Sequence, residues 1–166
     1  MFNLPLNSKD NHSMQEIERK FLVTNTDFKQ EAFQQTHLVQ GYLNSTPERT
    51  VRIRVSNEQA WITVKGKSSA DGTSRFEWEK EIPLQEAKQL LALCEEFLIE
   101  KTRYLVKAGK HTFEVDEFHG KHNGLLIAEV ELQDAKETFE KPVWLGQEVT
   151  GQKEYYNAYL KSHPIT

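Results

Sequence analysis

An α+β fold dominated by eight antiparallel β-strands is what the sequence predicts, and three observations carry that expectation. Apolar and polar residues alternate with period two in eight segments, at about 16–23, 38–44, 50–56, 60–66, 74–82, 100–108, 111–118 and 125–133. Turn-forming residues separate most of them, among them Asn57, Gly66, Asp71-Gly72, Gly109 and Asn123-Gly124. Helical spacing is confined to a few short stretches. At 166 residues the chain suits one domain with a core of its own.

Residues 1–13 (MFNLPLNSKDNHS) are aperiodic and mostly polar, so they are expected to form a disordered leader, leaving 14–166 as a single domain. They lack the basic start and apolar run of a secretory signal, and no apolar stretch approaches membrane-spanning length, which predicts a cytoplasmic protein with no membrane partner. The first strand, Glu16 to Val23, places Glu16, Glu18 and Lys20 on one side and Ile17 and Phe21 on the other. The strands that follow repeat the division. Arg52 and Arg54 oppose Val51, Ile53 and Val55, and Thr63 and Lys65 oppose Ile62 and Val64. Glu77 and Glu79 oppose Phe76 and Trp78, which predicts Trp78 as core beneath a helix. Lys101 and Arg103 follow, then Glu114 and Asp116 against Phe113 and Val115, and Glu129 and Glu131 against Ala128, Val130 and Leu132. Of the helical stretches, Ala87, Leu90, Leu91, Cys94 and Leu98 share a face over about 85–98. Asp134, with Glu137 three residues on, is placed to cap a short helix, and Tyr155, Ala158 and Tyr159 share a face near the C-terminus.

One wet sheet face would explain alternation by itself, usually with a mixture of Thr, Ser, Lys and Glu. Here strand after strand presents two like charges at i and i+2, only about 6.5–7 Å apart. Such pairs repel, and their repetition points to multivalent ions bound on that face. Hard divalent cations take carboxylate and phosphate oxygens together with water; phosphate oxygens suit guanidinium forks and ammonium groups. A face carrying both sets suits a metal-chelated polyphosphate. Eight strands, if closed into a barrel, leave an interior just wide enough for side chains or one small ligand; with the charged side facing inward and the apolar side under helices, Glu16, Glu18 and Lys20 line a polar tunnel. The net charge of −4 argues against a general nucleic-acid binder. A single cysteine, Cys94, excludes an intramolecular disulfide and reads as a buried apolar thiol. His119 and His122 have no cysteine partner and read as surface histidines rather than zinc ligands.

The order Glu16-x-Glu18-x-Lys20, Gln40-Gly41-Tyr42-Leu43, Arg52-x-Arg54, Thr63-x-Lys65, Arg75-x-Glu77-x-Glu79, Lys101-x-Arg103, Asp116 and Glu129-x-Glu131 resembles that of the CYTH superfamily, the triphosphate tunnel metalloenzymes, over residues 14–160. The superfamily includes class IV adenylate cyclases, thiamine triphosphatases and short bacterial inorganic triphosphatases, and the last are the nearest in pattern. The resemblance implies an eight-stranded antiparallel tunnel that hydrolyses a phosphoanhydride of a small-molecule triphosphate, with inorganic triphosphate as the leading substrate. It implies Mg²⁺ or Mn²⁺, two ions with substrate bound, held by Glu16, Glu18, Glu129 and Glu131 with Glu77, Glu79 and Asp116. Lys20, Arg52, Arg54, Lys65, Lys101 and Arg103 are implied as phosphate contacts, with Lys153 beside a C-terminal helix that closes one end. Glu18, Lys20 and Glu79 are the implied catalytic residues, Glu79 to orient the attacking water. A homodimer is implied as well. Two other functions stay open: cyclisation of ATP to cyclic AMP and pyrophosphate in the same lumen, and non-catalytic binding of a polyphosphate or nucleotide. The acidic positions on both sides of the site argue against the last, since anion binding needs only the bases. Tyr42 is open between ligand contact and packing, and Trp61 between lumen and rim.

Overall fold

Nine strands carry the fold in the computed structural model, which describes residues 14–160 and 163; the leader expected over 1–13 lies outside the described residues. In chain order the elements are β1 (Gln15–Val23), α1 (Phe28–Glu31), β2 (Ala32–Asn44), β3 (Arg49–Val55), β4 (Ala60–Gly66), β5 (Ser74–Ile82), α2 (Leu84–Leu91), β6 (Ile99–Ala108), β7 (His111–Phe118), β8 (Leu126–Glu131), β9 (Leu145–Glu148) and α3 (Asn157–Leu160). All pairings are antiparallel, in the order β5-β4-β3-β2-β6-β7-β8-β1-β9, and a further β1–β5 pairing closes β1 to β8 into a ring. That closure is short, joining Gln15 to Phe76, Glu16 to Arg75 and Ile17 to Ser74. The C-terminal half of β1 instead carries β9, with Phe21 opposite Glu148 and Val23 opposite Leu145.

The eight expected strands are present, with β2 starting at Ala32, about six residues before its alternation becomes regular. The ninth, Leu-Gly-Gln-Glu, is too short and too polar to show a period. α2 stops at Leu91 although its apolar spacing runs to Leu98, because turns follow and Phe97 adopts a φ of 71°. No helix forms at Asp134. Its side chain instead accepts from Lys136 N at 2.8 Å, and the Glu137 carboxylate reaches back to Gln133 N at 2.7 Å, closing a turn. None of the helices among the described residues is long and apolar enough to cross a membrane.

The largest core lies outside the ring, over β1, β6, β7 and β8. Phe21, Val106, Phe113, Val115 and Val130 are buried there beneath Phe28 of α1 and Trp144. Trp144 is fully buried, meets Phe28 and Phe113 edge to face, and donates from Nε1 to Glu31 at 3.0 Å. Trp144→Ala is therefore expected to cost about 3–5 kcal/mol and to lower the melting temperature by roughly 10 °C. Thermal unfolding followed by circular dichroism checks this, and a shift under about 3 °C would remove Trp144 as the keystone of this layer. α2 covers β3 and β4, where Ala87 packs with Ile53 and Ala60. Its trailing turn comes so close to β2 that a Cβ on Gly41 would lie 2.8 Å from Cys94 Cβ, and the Cys94 thiol is half-buried there.

These covers stop short of β5. Trp78, expected in the core, is 38% exposed, and Phe76 is 47% exposed. A third cluster lies on the inner side of the ring. Ile99, Phe118 and Ile127 stand two residues from Lys101, Asp116 and Glu129, so they share the inner parity. With Tyr42 they pack against Leu160, Tyr155 and Ala158, so apolar side chains and the C-terminal turn fill one end of the interior. His122, expected at the surface, is buried and faces Phe118 edge on.

Candidate active site

The ring encloses a cavity of about 1100 Å³. Strand alternation turns Glu16, Glu18, Glu77, Glu79, Glu129 and Glu131 into its wall, and equally Lys20, Arg52, Arg54, Lys65 and Arg103. Lys153 lies at its edge, exposed and without an ion pair among the described residues. Sequence periodicity thus identified the parity of the inner face correctly in every strand of the ring that carries these groups.

Two predicted residues stand behind the wall. Lys101 has no exposed surface and places Nζ 2.5 Å from Asp116 Oδ2. Asp116, itself 2% exposed, also accepts from Arg103 Nε at 2.7 Å and Nη2 at 2.8 Å. Neither lines the cavity. Lys101 and Asp116 lie deeper because their stretch of β6 and β7 leads into the apolar end of the lumen, beside Ile99 and Phe118. In their place the structure brings forward Arg75 and Glu114, which the sequence shows on the charged face without a role. Arg75 pairs across the ring seam with Glu16, Nε to Oε2 at 3.1 Å, and lies 3.8 Å from Glu18. The signals were Arg75-x-Glu77 and Glu114-x-Asp116 themselves, but only closure of the ring shows what Arg75 faces. Tyr42 is buried and borders both the cavity and the apolar cluster, whereas Trp61 stacks against Arg54 at 5.2 Å and does not line the cavity.

Register crowds like charges together. Glu18 stands opposite Glu131, and Glu114 opposite Glu129, arrangements that destabilise a sheet unless something offsets them. Bases offset part of the crowding. Lys65 Nζ lies 2.9 Å from Glu16 and 2.6 Å from Glu77, and Lys20 Nζ lies 2.7 Å from Glu129. Lys20 is held further by the Tyr155 carbonyl at 3.4 Å and by the Tyr156 ring at 5.3 Å. Arg103 is paired with Glu114 and lies 3.7 Å from Glu129. Across the cavity, Glu79 accepts from Thr63 Oγ1 at 2.6 Å and lies 3.4 Å from Arg52 and 3.3 Å from Arg54.

The ionisation pattern follows. Burial, then the neighbouring Glu129 and Glu16 carboxylates, push Glu18 up to about 7 against the pull of Lys20 and Lys65. Burial also tends to raise Glu16, but Lys65, a hydrogen bond with Glu77 and Arg75 outweigh it and hold the carboxyl at about 2. Glu131 is raised by burial and by Glu16 and Glu114. Burial tends to raise Glu79 too, yet Arg54, Thr63 and Arg52 keep it below its ordinary value. On the basic side, burial lowers Arg54 to about 10, with Arg52 and Arg103 adding repulsion.

This donor set fits a hard divalent cation: the groups are carboxylate oxygens, and burial followed by the neighbouring Glu129 and Glu16 carboxylates favours the protonated form of Glu18, which a bound cation would offset. No three carboxylate, histidine or cysteine side chains among the described residues are gathered closely enough to enclose an ion by themselves. A cation that shares its shell with phosphate oxygens and water needs only one or two.

The model of the CYTH domain matches residues 14–161. The chain belongs to the CYTH family. This CYTH domain is 45% identical over 150 residues to an inorganic triphosphatase of Acetivibrio thermocellus, spanning 90% of the chain and 94% of that relative. It is 38% identical over 151 residues to an inorganic triphosphatase of Nitrosomonas europaea, spanning 89% and 97%. The crystal structure of the inorganic triphosphatase NE1496 matches the CYTH domain with a TM-score of 0.62 at 34% identity, over 90% of the chain and 96% of that structure. Triphosphate tunnel enzymes of the CYTH family depend on divalent metal.

Proposed function

We propose that this CYTH domain hydrolyses a terminal phosphoanhydride of inorganic triphosphate in its cavity. One observation carries the reading: a single enclosed space is walled by crowded carboxylates of β1 and β8 and faced by the Arg52, Arg54 and Lys65 cations of β3 and β4. A neutral or purely anionic ligand would leave one of the two sets without a counterpart. Together they match a triphosphate and its metal.

Glu16, Glu18, Glu129 and Glu131 are the proposed holders of the metal, with Glu77 and Glu79 in reach of a second ion. Bound Mg²⁺ or Mn²⁺ supplies charge neutralisation at phosphoryl oxygens and acidifies coordinated water. The protein's own part is positioning and electrostatics. Arg52, Arg54, Lys65 and Arg103 point fixed positive charge at the phosphate oxygens, and Lys20, locked by Glu129 and Tyr155, adds an ammonium that cannot swing away. Glu79 stays ionised and is oriented by Thr63, which suits it to align a water for in-line attack. Substrate entry exchanges the internal ion pairs for phosphate contacts, so the bases arrive already desolvated and aimed. The same reading takes the protein as a cytoplasmic, single-domain enzyme over 14–166, acting on a small molecule without nucleic-acid or membrane partners. A homodimer is carried over from the family resemblance.

A substrate panel tests the proposal. Inorganic triphosphate, ATP and thiamine triphosphate, each with Mg²⁺ and with Mn²⁺, are expected to release phosphate fastest from inorganic triphosphate. Cyclic AMP from ATP as the main product would move the assignment to cyclisation. Tight triphosphate binding with no phosphate release under either metal would make the protein a binding module.

A further inference from the structure

Resting on the triphosphatase reading, we propose that Gln40 is a positioning residue, whose side-chain amide fixes the Arg52 and Arg54 guanidiniums through a shared buried water. Gln40 lies on the inner parity of β2. Its register partner on β3 is Arg54, and on β6 it is Ile99. Tyr42, two residues along, is the partner of Arg52. The side chain has no exposed surface, and its inner-face neighbours along the strand, Leu38 and Tyr42, are buried too. Leucine or methionine would fill such a place at no polar cost.

Gln40 instead brings an amide whose Oε1 and Nε2 both lack a partner among the described residues. Arg52 Nε and Arg54 Nε are buried and unpartnered in the same way. The far ends of the two guanidiniums are occupied: Arg52 Nη2 donates to Thr63 at 3.1 Å, and Arg54 Nη2 donates to Glu79 at 3.3 Å. Both forks are thus tied at one side and open at Nε. Buried polar groups are almost always paired, with ordered water when protein cannot reach. An Nε–H only donates, whereas an amide both donates and accepts. A water that accepts from both Nε–H groups and donates to Gln40 Oε1 pairs three of these four groups, and it stops each guanidinium from turning about its long stem. Gln40 would then lower the cost of ordering the phosphate clamp without touching phosphate.

Gln40→Met, close in size and without polar atoms, tests this. The expected result is a KM for inorganic triphosphate raised about tenfold with kcat within about twofold, because the loss is one charge-assisted hydrogen-bond set acting on substrate binding. An unchanged KM would overturn the proposal, whether the melting temperature falls, which marks the amide as purely structural, or stays at or above that of the wild type, which marks it as idle. If Gln40→Met fails to fold, Gln40→Asn keeps an amide but withdraws it by one methylene. A KM raised at least about threefold supports the water bridge, and an unchanged KM rejects it. Should the wild-type chain release no phosphate, the triphosphatase reading falls by itself. The affinity of Gln40→Met for inorganic triphosphate by calorimetry then decides the Gln40 proposal, with an unchanged Kd against it.

Discussion

Glu18→Gln is expected to lose divalent-metal-dependent turnover by at least about a hundredfold while folding as well as, or better than, the wild-type chain. The two halves of this result have one cause. Glu18 stands opposite Glu131 and is pushed up to about 7 by burial and then by Glu129 and Glu16, so its ionised form is poorly tolerated without a cation. A carboxyl whose folded value exceeds its unfolded one contributes stability that is fully present below the unfolded value and is lost as pH rises through the folded value. For Glu18 the window runs from about 4.5 to about 7, and the loss is on the order of 3 kcal/mol. Glutamine imitates the protonated acid at every pH. In metal-free buffer the variant should match the wild type near pH 5 and melt several degrees higher at pH 8. Thermal scans at the two pH values, beside phosphate release with Mg²⁺, read both effects. Full activity would dismiss Glu18 as a metal holder, and a lower melting point at pH 8 would contradict the account of its crowding.

A stability loss as large as that of Trp144→Ala is expected from Arg103→Leu. Arg103 is the hub between Asp116, which it clasps through Nε and Nη2, and Glu114, with Glu129 3.7 Å away. Removing it leaves Asp116 buried with Lys101 as its remaining ionic partner, and breaking such a pair from one side costs about 3–5 kcal/mol, or roughly 10 °C in melting temperature. Its pH dependence has a definite sign. Burial raises Asp116, but Arg103 and Lys101 outweigh that and hold it at about 2, so its stabilisation is present above the ordinary carboxyl value of 3.8 and disappears as pH falls through 2. The deficit of Arg103→Leu should therefore be complete above pH 4 and shrink toward pH 2. Arg103→Lys retains the charge but not the planar fork, and should lie between the two. Urea unfolding across this pH range measures the deficit, and a neutral-pH difference under about 1 kcal/mol would remove Arg103 as the hub of the acidic wall.

Strand alternation made the fold and the composition of the cavity wall legible in the sequence, because a two-residue period assigns each side chain to a face regardless of what lies across from it. The same period carries no information about depth. Lys101 and Arg103 look equivalent in the chain, yet one is sealed behind the wall and the other faces the cavity, since the barrel narrows into the Ile99, Phe118 and Ile127 cluster at that level. Arg75 gained its role only through the β1–β5 seam, a contact between residues about sixty positions apart that no local pattern encodes. Trp78 went the other way. An apolar outward residue implies a cover, but whether a helix reaches it depends on where α2 ends, and α2 stops at Leu91 on β3 and β4. β9 was missed because four residues bound by an edge strand need no amphipathic period of their own.

The position of β1 in the ring governs the order in which the molecule can be assembled. Its partners are β5, β8 and β9, so the earliest strand of the ring in chain order waits for residues near 131 and 148 before its last hydrogen bonds form. Chains dominated by such distant pairings fold slowly. A nascent or truncated product ending before β8 leaves the Glu18–Val23 stretch of β1 without its partner strands, an open edge ready to pair with another chain. Production of this protein should accordingly be sensitive to premature termination and to chaperone supply.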